Sequence, residues 1–201
     1  MSKWFYEILY SHFRAPWDIG PRQELVELVQ SGRITPCRAI DLGSGTASNV
    51  VFLGLHGFDV TGVDFAHYAI ELGRKRAKEA GVSVKFIQDD LTNLQHVTGE
   101  YDLLVDYGTL DDLPAQKRLQ YIKSVLALSR PGGVFLLYCF EWEMILWERL
   151  LTKVFSSFGS VMAPGEVEQL FSAYFAIDKI AEMSGGSRWP RGSAVYWMVR
   201  S

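Results

Sequence analysis

The segment Arg38-Ala-Ile-Asp-Leu-Gly-Ser-Gly-Thr-Ala47 constrains this chain more than any other stretch. A short apolar run, Ala39–Leu42, carries Asp41 and opens into a loop with Gly43 and Gly45. A helical pattern over 48–56 follows, closed by Gly57, and Asp59–Asp64 reads as a second strand ending in a carboxylate. Strand, glycine-bearing turn, helix and acid-ended strand together describe a parallel βαβ unit. The carboxyl ends of its strands border a crevice of the kind that takes a nucleotide.

The same alternation continues. Ala66–Ala80 predicts a helix with a charged outer face, stopped by Gly81. Val84–Gln88 reads as strand three, with a short helical turn near Leu91–Val97. Tyr101–Asp106 is strand four, and a helix runs from about Pro114 to Ser129. Arg130-Pro-Gly-Gly133 is a tight turn into Val134–Phe140, an unbroken apolar run suited to a strand covered on both faces. Such alternation implies a parallel sheet with right-handed crossovers. After strand five the pattern changes. Glu141–Phe158 is apolar and helix-like, and Pro164–Phe171 predicts a further helix. Phe175–Glu182 and Ala194–Arg200, separated by Gly185, Gly186, Pro190 and Gly192, predict an antiparallel pair. At the other end, residues 1–20 hold Trp4, Phe5, Tyr6, Tyr10, Phe13 and Trp17, and Pro21–Gly32 reads as a helix.

Composition narrows the function. Hydrophobic residues make up 48% and charged residues 21%, as in a globular domain. A net charge of -3 gives no general attraction to a phosphate backbone, so nucleic acid is not an expected partner. The basic run Arg74, Lys75, Arg76 and Lys78 reads as the solvated face of a helix. Cys37 and Cys139 fit neither a metal-ligand spacing nor a disulfide framework and read as reduced, buried side chains. No apolar run reaches the roughly 18 residues of a membrane span, and the amino terminus lacks a secretory apolar region. Cytoplasmic localisation is the expectation.

Two cofactors compete for the crevice. A dinucleotide fold wants a third glycine where Ser48 stands. The pattern here is D-x-G-x-G-x-A, from Asp41 to Ala47, and it resembles the first motif of class I S-adenosylmethionine-dependent methyltransferases. Asp64, at the end of strand two, is placed to accept ribose hydroxyl protons with either cofactor. The strand-four segment Tyr101–Pro114, the segment Arg130–Leu137 and the closing β pair also resemble that family, over residues 36 to 200. The resemblance implies a Rossmann-like three-layer α/β sandwich, with a mostly parallel seven-stranded sheet and an antiparallel last hairpin. It implies S-adenosyl-L-methionine as cofactor and S-adenosyl-L-homocysteine as product, held by Asp41, Gly43, Gly45, Thr46, Asp64, Phe65, Asp90, Leu91 and Asp106. Phe65 would pack on the adenine and Asp90-Leu91 would meet its amino group, although Asp89 and Asp90 also read as helix-start caps. One structural domain is expected. Residues 1–35 form an aromatic arm and helix covering the site, and residues 36–201 form the cofactor-binding domain.

The acceptor is less legible. Ala15-Pro-Trp-Asp-Ile-Gly20 resembles the P-W-D-x-G element of the thiopurine, thiol, halide and tellurite methyltransferase group, where the tryptophan closes the site over the cofactor. Val105–Leu110 resembles that group's strand-four loop. Methyl transfer to sulfur of a small apolar or aromatic molecule is therefore favoured, with oxygen or nitrogen of a heteroaromatic as the alternative. Trp17, Asp106 and Tyr107 are the expected transfer-region residues. A thiolate needs no general base, whereas a hydroxyl would benefit from one, drawn from Asp106, Asp111, Asp112, Glu141 or His12. His56, His67 and His96 receive no role. The partner is a small molecule, without nucleic acid or membrane span, and the protein is a monomer or homodimer. Trp142–Phe155 reads as a lid or core helix, or else as a membrane-surface or dimer-contact helix. Rival functions are an NAD(P)-dependent oxidoreductase and a non-catalytic S-adenosylmethionine-binding regulator.

Overall fold

The computed structural model describes residues 3–12, 18–144, 161–184 and 191–201. Two helices, α1 (Lys3–His12) and α2 (Gln23–Gln30), precede the sheet. Then come β1 (Arg38–Leu42), α3 (Ser48–Leu55), β2 (Asp59–Asp64), α4 (His67–Glu79), β3 (Lys85–Gln88) and β4 (Tyr101–Tyr107). The chain continues through α5 (Ala115–Leu128), β5 (Ser129–Phe140), α6 (Glu166–Phe171), β6 (Phe175–Ser184) and β7 (Gly192–Arg200). The strands form one seven-stranded sheet in the order β3-β2-β1-β4-β5-β7-β6. The pairs from β3 to β5 are parallel, and β7 runs antiparallel to both β5 and β6. This is the expected Rossmann-like sandwich with a reversed final hairpin.

Alternation along the strands divides the core into two layers. Ile40, Leu42, Leu104, Phe135 and Leu137 point to one face, where they meet Tyr121, Ile122 and Val125 of α5 and Phe171 of α6. Ala39, Leu103, Val105 and Leu136 point to the other, against Leu25 and Leu28 of α2 and Val50 and Leu53 of α3. Burial on both faces is why the parallel strands read as continuous apolar runs. The consequence for function lies in the strand order. The chain turns outward from β1 to β2 on one side and returns as β4 on the other, so the crevice opens at the carboxyl ends of β1 and β4.

Several elements depart from the sequence expectation. The tight turn Arg130–Gly133 lies inside β5, because Ser129 pairs with Tyr101 while Val134 pairs with Leu103. The four residues between are a bulge in a strand that begins earlier than Val134. No helix joins β3 to β4. The Asp89 carboxylate instead accepts the N–H groups of Gln95, His96 and Val97, and the segment closes as turns around it. The helix expected from Pro164 begins at Glu166, since Gly165 takes φ 81° and cannot be part of it. Lys3–His12, read only as an aromatic arm, is a helix. Beyond Met144 the expected apolar helix up to Phe158 lies outside the described residues, as do Trp17, Gly185, Gly186 and Pro190. No helix among the described residues is long and apolar enough to cross a membrane.

Candidate functional site: a crevice between β1 and β4

The glycine loop is fastened to its neighbours on both sides. The backbone N–H groups of Gly43 and Ser44 both donate to the Val63 carbonyl of β2, each at 2.8 Å. From the β4 side the Thr109 hydroxyl donates to the Leu42 carbonyl at 2.8 Å. A Cβ at Gly43 would stand 2.0 Å from Thr109 Oγ1, and the residue has φ +79°, so only glycine fits. Ala47, the mild departure from a third glycine, takes the left-handed conformation at φ 65°, the one non-glycine residue among those described to do so. Backbone strain of this kind costs about 1–3 kcal/mol and collects at functional loops.

Asp41, Asp64 and Asp106 stand on three different strands around the crevice, each at most 5% exposed. Asp64 binds the loop covalently distant from it: Gly45 N–H donates to Oδ2 at 2.9 Å and Ala66 N–H to Oδ1 at 2.8 Å. Each oxygen keeps a second lone pair for a hydroxyl donor. Burial pushes Asp64 up to about 6, against those two N–H groups. Asp41 is pushed further, to about 8, by burial and then by the charges of Asp106 and Asp64. Its Oδ2 is buried without a hydrogen-bond partner. A buried carboxylate oxygen with no donor is costly in a folded protein unless a ligand completes it.

Across the crevice the acids are differently employed. Asp106 accepts Thr109 N–H at 2.7 Å, Leu110 N–H at 3.2 Å and the Tyr121 hydroxyl, which together hold the loop after β4 in shape. Burial pushes its pKa up to about 7, opposed by those same bonds. Asp112 accepts the Tyr6 hydroxyl of α1. Asp111 accepts Phe140 N–H at 3.3 Å, and burial holds its pKa well above the usual carboxylate range. Glu141 accepts Lys179 Nζ at 2.6 Å on one oxygen and the Tyr196 hydroxyl on the other, and so anchors the last hairpin. Tyr107 stacks on Tyr138 with ring centroids 5.4 Å apart. The His12 side chain and all of Trp17 lie outside the described residues.

Beyond the ends of β2 and β3, Phe65 meets the Tyr6 ring edge-on at 5.4 Å, and Leu91 is buried. Asp90 is exposed, and its Oδ1 accepts both the N–H and the hydroxyl of Thr92, at 2.8 and 2.7 Å. The structure therefore brings Asp41, Gly43, Gly45, Thr46, Asp64 and Phe65 to one wall and Asp106 and Tyr107 to the other, while one oxygen of the exposed Asp90 caps a turn.

Sequence reasoning missed residues from the amino-terminal side. Glu7 of α1 accepts the N–H groups of His67 at 2.8 Å and Tyr68 at 3.1 Å, supplying the cap that Ala66 cannot give to α4. Arg22 lies over the Tyr107 and Tyr138 rings at 5.6 and 5.8 Å, and its charge acts on Asp41. No carboxylate among the described residues pairs with its guanidinium. Arg76, assigned to a solvated face, turns inward to Asp18. The one sequence signal for these was the P-W-D-x-G segment, which flagged the region and not its partners.

Comparisons with known proteins bear on the fold and on the segment that carries the crevice. Residues 39–133 match the family model of the methyltransferase domain. The chain is 28% identical over 130 residues to the 2-heptyl-1-hydroxyquinolin-4(1H)-one methyltransferase of Mycobacteroides abscessus, covering 64% of this chain and 57% of that protein. The chain spans about half the length of the curated relatives it matches. Among solved structures, a protein from work on the conversion of a disulfide bond into a thioacetal group during echinomycin biosynthesis superposes with a TM-score of 0.80 at 19% identity. That likeness covers 100% of this chain and 93% of the other. The 1,6-didemethyltoxoflavin-N1-methyltransferase of Burkholderia thailandensis, solved with S-adenosylhomocysteine, gives a TM-score of 0.76 at 18% identity, covering 99% and 87%. At these identities the structural likeness is one of fold. The stretch from β1 to the bulge within β5, which bears Asp41, Gly43, Gly45, Asp64 and Asp106, is the part of the chain that matches the methyltransferase-domain model.

Proposed function

We propose that this protein is an S-adenosylmethionine-dependent methyltransferase of a small aromatic or heteroaromatic molecule. Sulfur is the favoured acceptor atom, with a hydroxyl oxygen or a nitrogen of a heteroaromatic as alternatives. One observation carries the reading: Asp41 presents an unpartnered buried oxygen beside a glycine loop clamped to the Asp64 carboxylate. Such a pocket suits a ligand with a cationic amino end and a ribose.

In this reading Asp64 takes the ribose hydroxyls, and Gly43, Gly45 and Thr46 let the backbone lie against the nucleoside. Phe65, Leu91 and Asp90 border the adenine. Asp41 takes the ammonium group, and the Arg22 guanidinium, which pairs with no carboxylate among the described residues, takes the carboxylate. S-adenosylmethionine supplies, when bound, a sulfonium methyl open to in-line displacement. The chain contributes alignment and exclusion of water, and positioning of this kind is worth roughly 7–11 kcal/mol. Asp106 acts by shaping the loop that follows Tyr107, and Tyr107 lines the transfer region. The amino-terminal arm up to residue 35 covers the site.

The acceptor wall bears on the choice of nucleophile. Asp106 and Glu141 have both oxygens bonded within the protein, and Asp112 is bonded to Tyr6. With three of the candidate bases engaged in this way, acceptors that ionise by themselves near neutrality are favoured, such as thiols and acidic hydroxy-heteroaromatics. The relatives named for a hydroxyquinolone and for didemethyltoxoflavin support a heteroaromatic small molecule.

Thermal shift with S-adenosylhomocysteine and with NADH, each alone, tests the cofactor: only the former is expected to raise Tm. Incubation with S-adenosylmethionine and a panel of thiols, hydroxyquinolones and heteroaromatic amines, followed by mass spectrometry, is expected to return a methylated thiol or heteroaromatic. A Tm rise with NADH alone would overturn the reading.

A further inference from the structure

Three stretches far apart in sequence meet at one point beside the crevice. Arg76 of α4 donates to both oxygens of Asp18, at 2.7 Å to Oδ1 and 2.6 Å to Oδ2. The same guanidinium donates to the Thr46 carbonyl at 3.0 Å, and the Thr46 hydroxyl donates back to Asp18 Oδ1 at 2.9 Å. Four hydrogen bonds thus close a ring through the segment entering α2, the glycine loop and α4. Asp18 is 7% exposed, so its charge depends on this forked partner. Four residues further on, Arg22 N–H donates to Asn49 Oδ1 of α3 at 3.0 Å. The short stretch from Asp18 to Arg22, turning at Gly20 with φ 96°, is therefore pinned at both ends. Between those pins the course of the backbone is set, and with it the place of the Arg22 guanidinium over Tyr107 and Tyr138.

We infer that the Asp18–Arg76 pair is a positioning device for the cofactor site: it holds Arg22 over the Tyr107 and Tyr138 rings by tying the amino-terminal segment to the glycine loop and α4. The inference rests on the reading of Arg22 as the carboxylate contact. The chemistry requires arginine at position 76. A lysine ammonium keeps the charge but supplies one point where the ring needs a fork reaching both carboxylate oxygens and a backbone carbonyl. The inward-facing member of an otherwise exposed basic run thereby acquires a task.

Two ligands and one independent readout test this. S-adenosylhomocysteine carries the amino-acid end, and 5′-methylthioadenosine has the same nucleoside and thioether without it. By calorimetric titration, R76Q is expected to weaken S-adenosylhomocysteine at least tenfold and to change 5′-methylthioadenosine less than twofold. R76K is expected to restore no more than part of the loss. R22Q reproduces the selective loss, and in R22Q/R76Q the second change adds nothing, as coupled residues require. Equal weakening of both ligands, or additive losses in the double variant, would overturn the inference, since either would make the pair a support of the loop alone. Hydrogen exchange is read on the same variants without ligand. R76Q is expected to lose protection over residues 18–26 while α5 keeps it, and unchanged protection at 18–26 overturns the positioning role. If the wild-type protein binds neither ligand, the cofactor reading fails and the Arg22 carboxylate role fails with it, while the exchange result still decides whether the pair fixes the segment.

Discussion

The two walls of the crevice use the same residue type for opposite ends. On the β1–β2 wall, Asp64 is held by backbone N–H groups and Asp41 leaves one buried oxygen without a donor. On the β4–β5 wall, Asp106 and Glu141 are fully engaged by the protein's own donors. One wall is built with incomplete polar groups that a ligand would satisfy. On the other, Asp106 and Glu141 are satisfied and hold a loop and a hairpin in place, while the Tyr107 hydroxyl is buried without a hydrogen-bond partner. An acid near a strand end is thus informative about chemistry only once its partners are known.

The largest expected effect belongs to the seam between the walls. Gly43→Ala forces a Cβ into Thr109 Oγ1 at a positive φ, and is expected to cost roughly 3 kcal/mol of stability in urea unfolding and to abolish S-adenosylhomocysteine binding. Next, paired asparagine substitutions separate the walls. Asp41→Asn is expected to weaken S-adenosylhomocysteine by about 1.5–3 kcal/mol in calorimetry, the worth of a charge-assisted hydrogen bond. Asp106→Asn should instead lower unfolding stability by about 1–3 kcal/mol, because a buried acceptor is replaced by a donor facing N–H groups. Comparable losses of ligand affinity in both variants would erase the contrast.

The pH dependence sharpens it. A carboxyl whose folded pKa is raised binds its proton more tightly folded than unfolded, so stability falls as pH rises above the ordinary carboxylate range. For the ligand-free protein that decline is expected to continue to about pH 8, where Asp41 titrates, and Asp41→Asn removes its upper part. A ligand ammonium favours ionised Asp41, so S-adenosylhomocysteine affinity is expected to rise between about pH 6 and about pH 8 and to flatten in Asp41→Asn. Smaller effects test the loop itself. Ala47→Gly relieves the left-handed strain and is expected to raise Tm, by about 1 kcal/mol of stability. Asp90→Ala removes an exposed turn cap, costing about 0.5–1 kcal/mol of stability, and a fall in nucleoside affinity beyond that loss is expected if Asp90 also borders the adenine.

Much of this molecule was legible before its structure. The order of strands and helices, the glycine loop and the acid closing β2 follow from short-range pattern: apolar runs of strand length, a helix stop at Gly57, a carboxylate where β2 ends. Such signals are local because backbone geometry and two-face burial act over a few residues at a time. The departures came where a side chain from afar satisfied a backbone group that local pattern had left to a helix or turn. Asp89 gathers the segment after β3, and Glu7 caps α4.

By itself, then, the sequence determined the parallel sheet, its reversed hairpin and the wall that carries Asp41 and Asp64. Only the tertiary structure decided which acids are spent and which remain open, that Arg76 turns inward to Asp18, and that Arg22 stands over Tyr107 and Tyr138. The physical reason is that hydrogen-bond satisfaction is a property of pairs brought together by folding. A carboxylate has the same letter in a sequence whether four donors surround it or none.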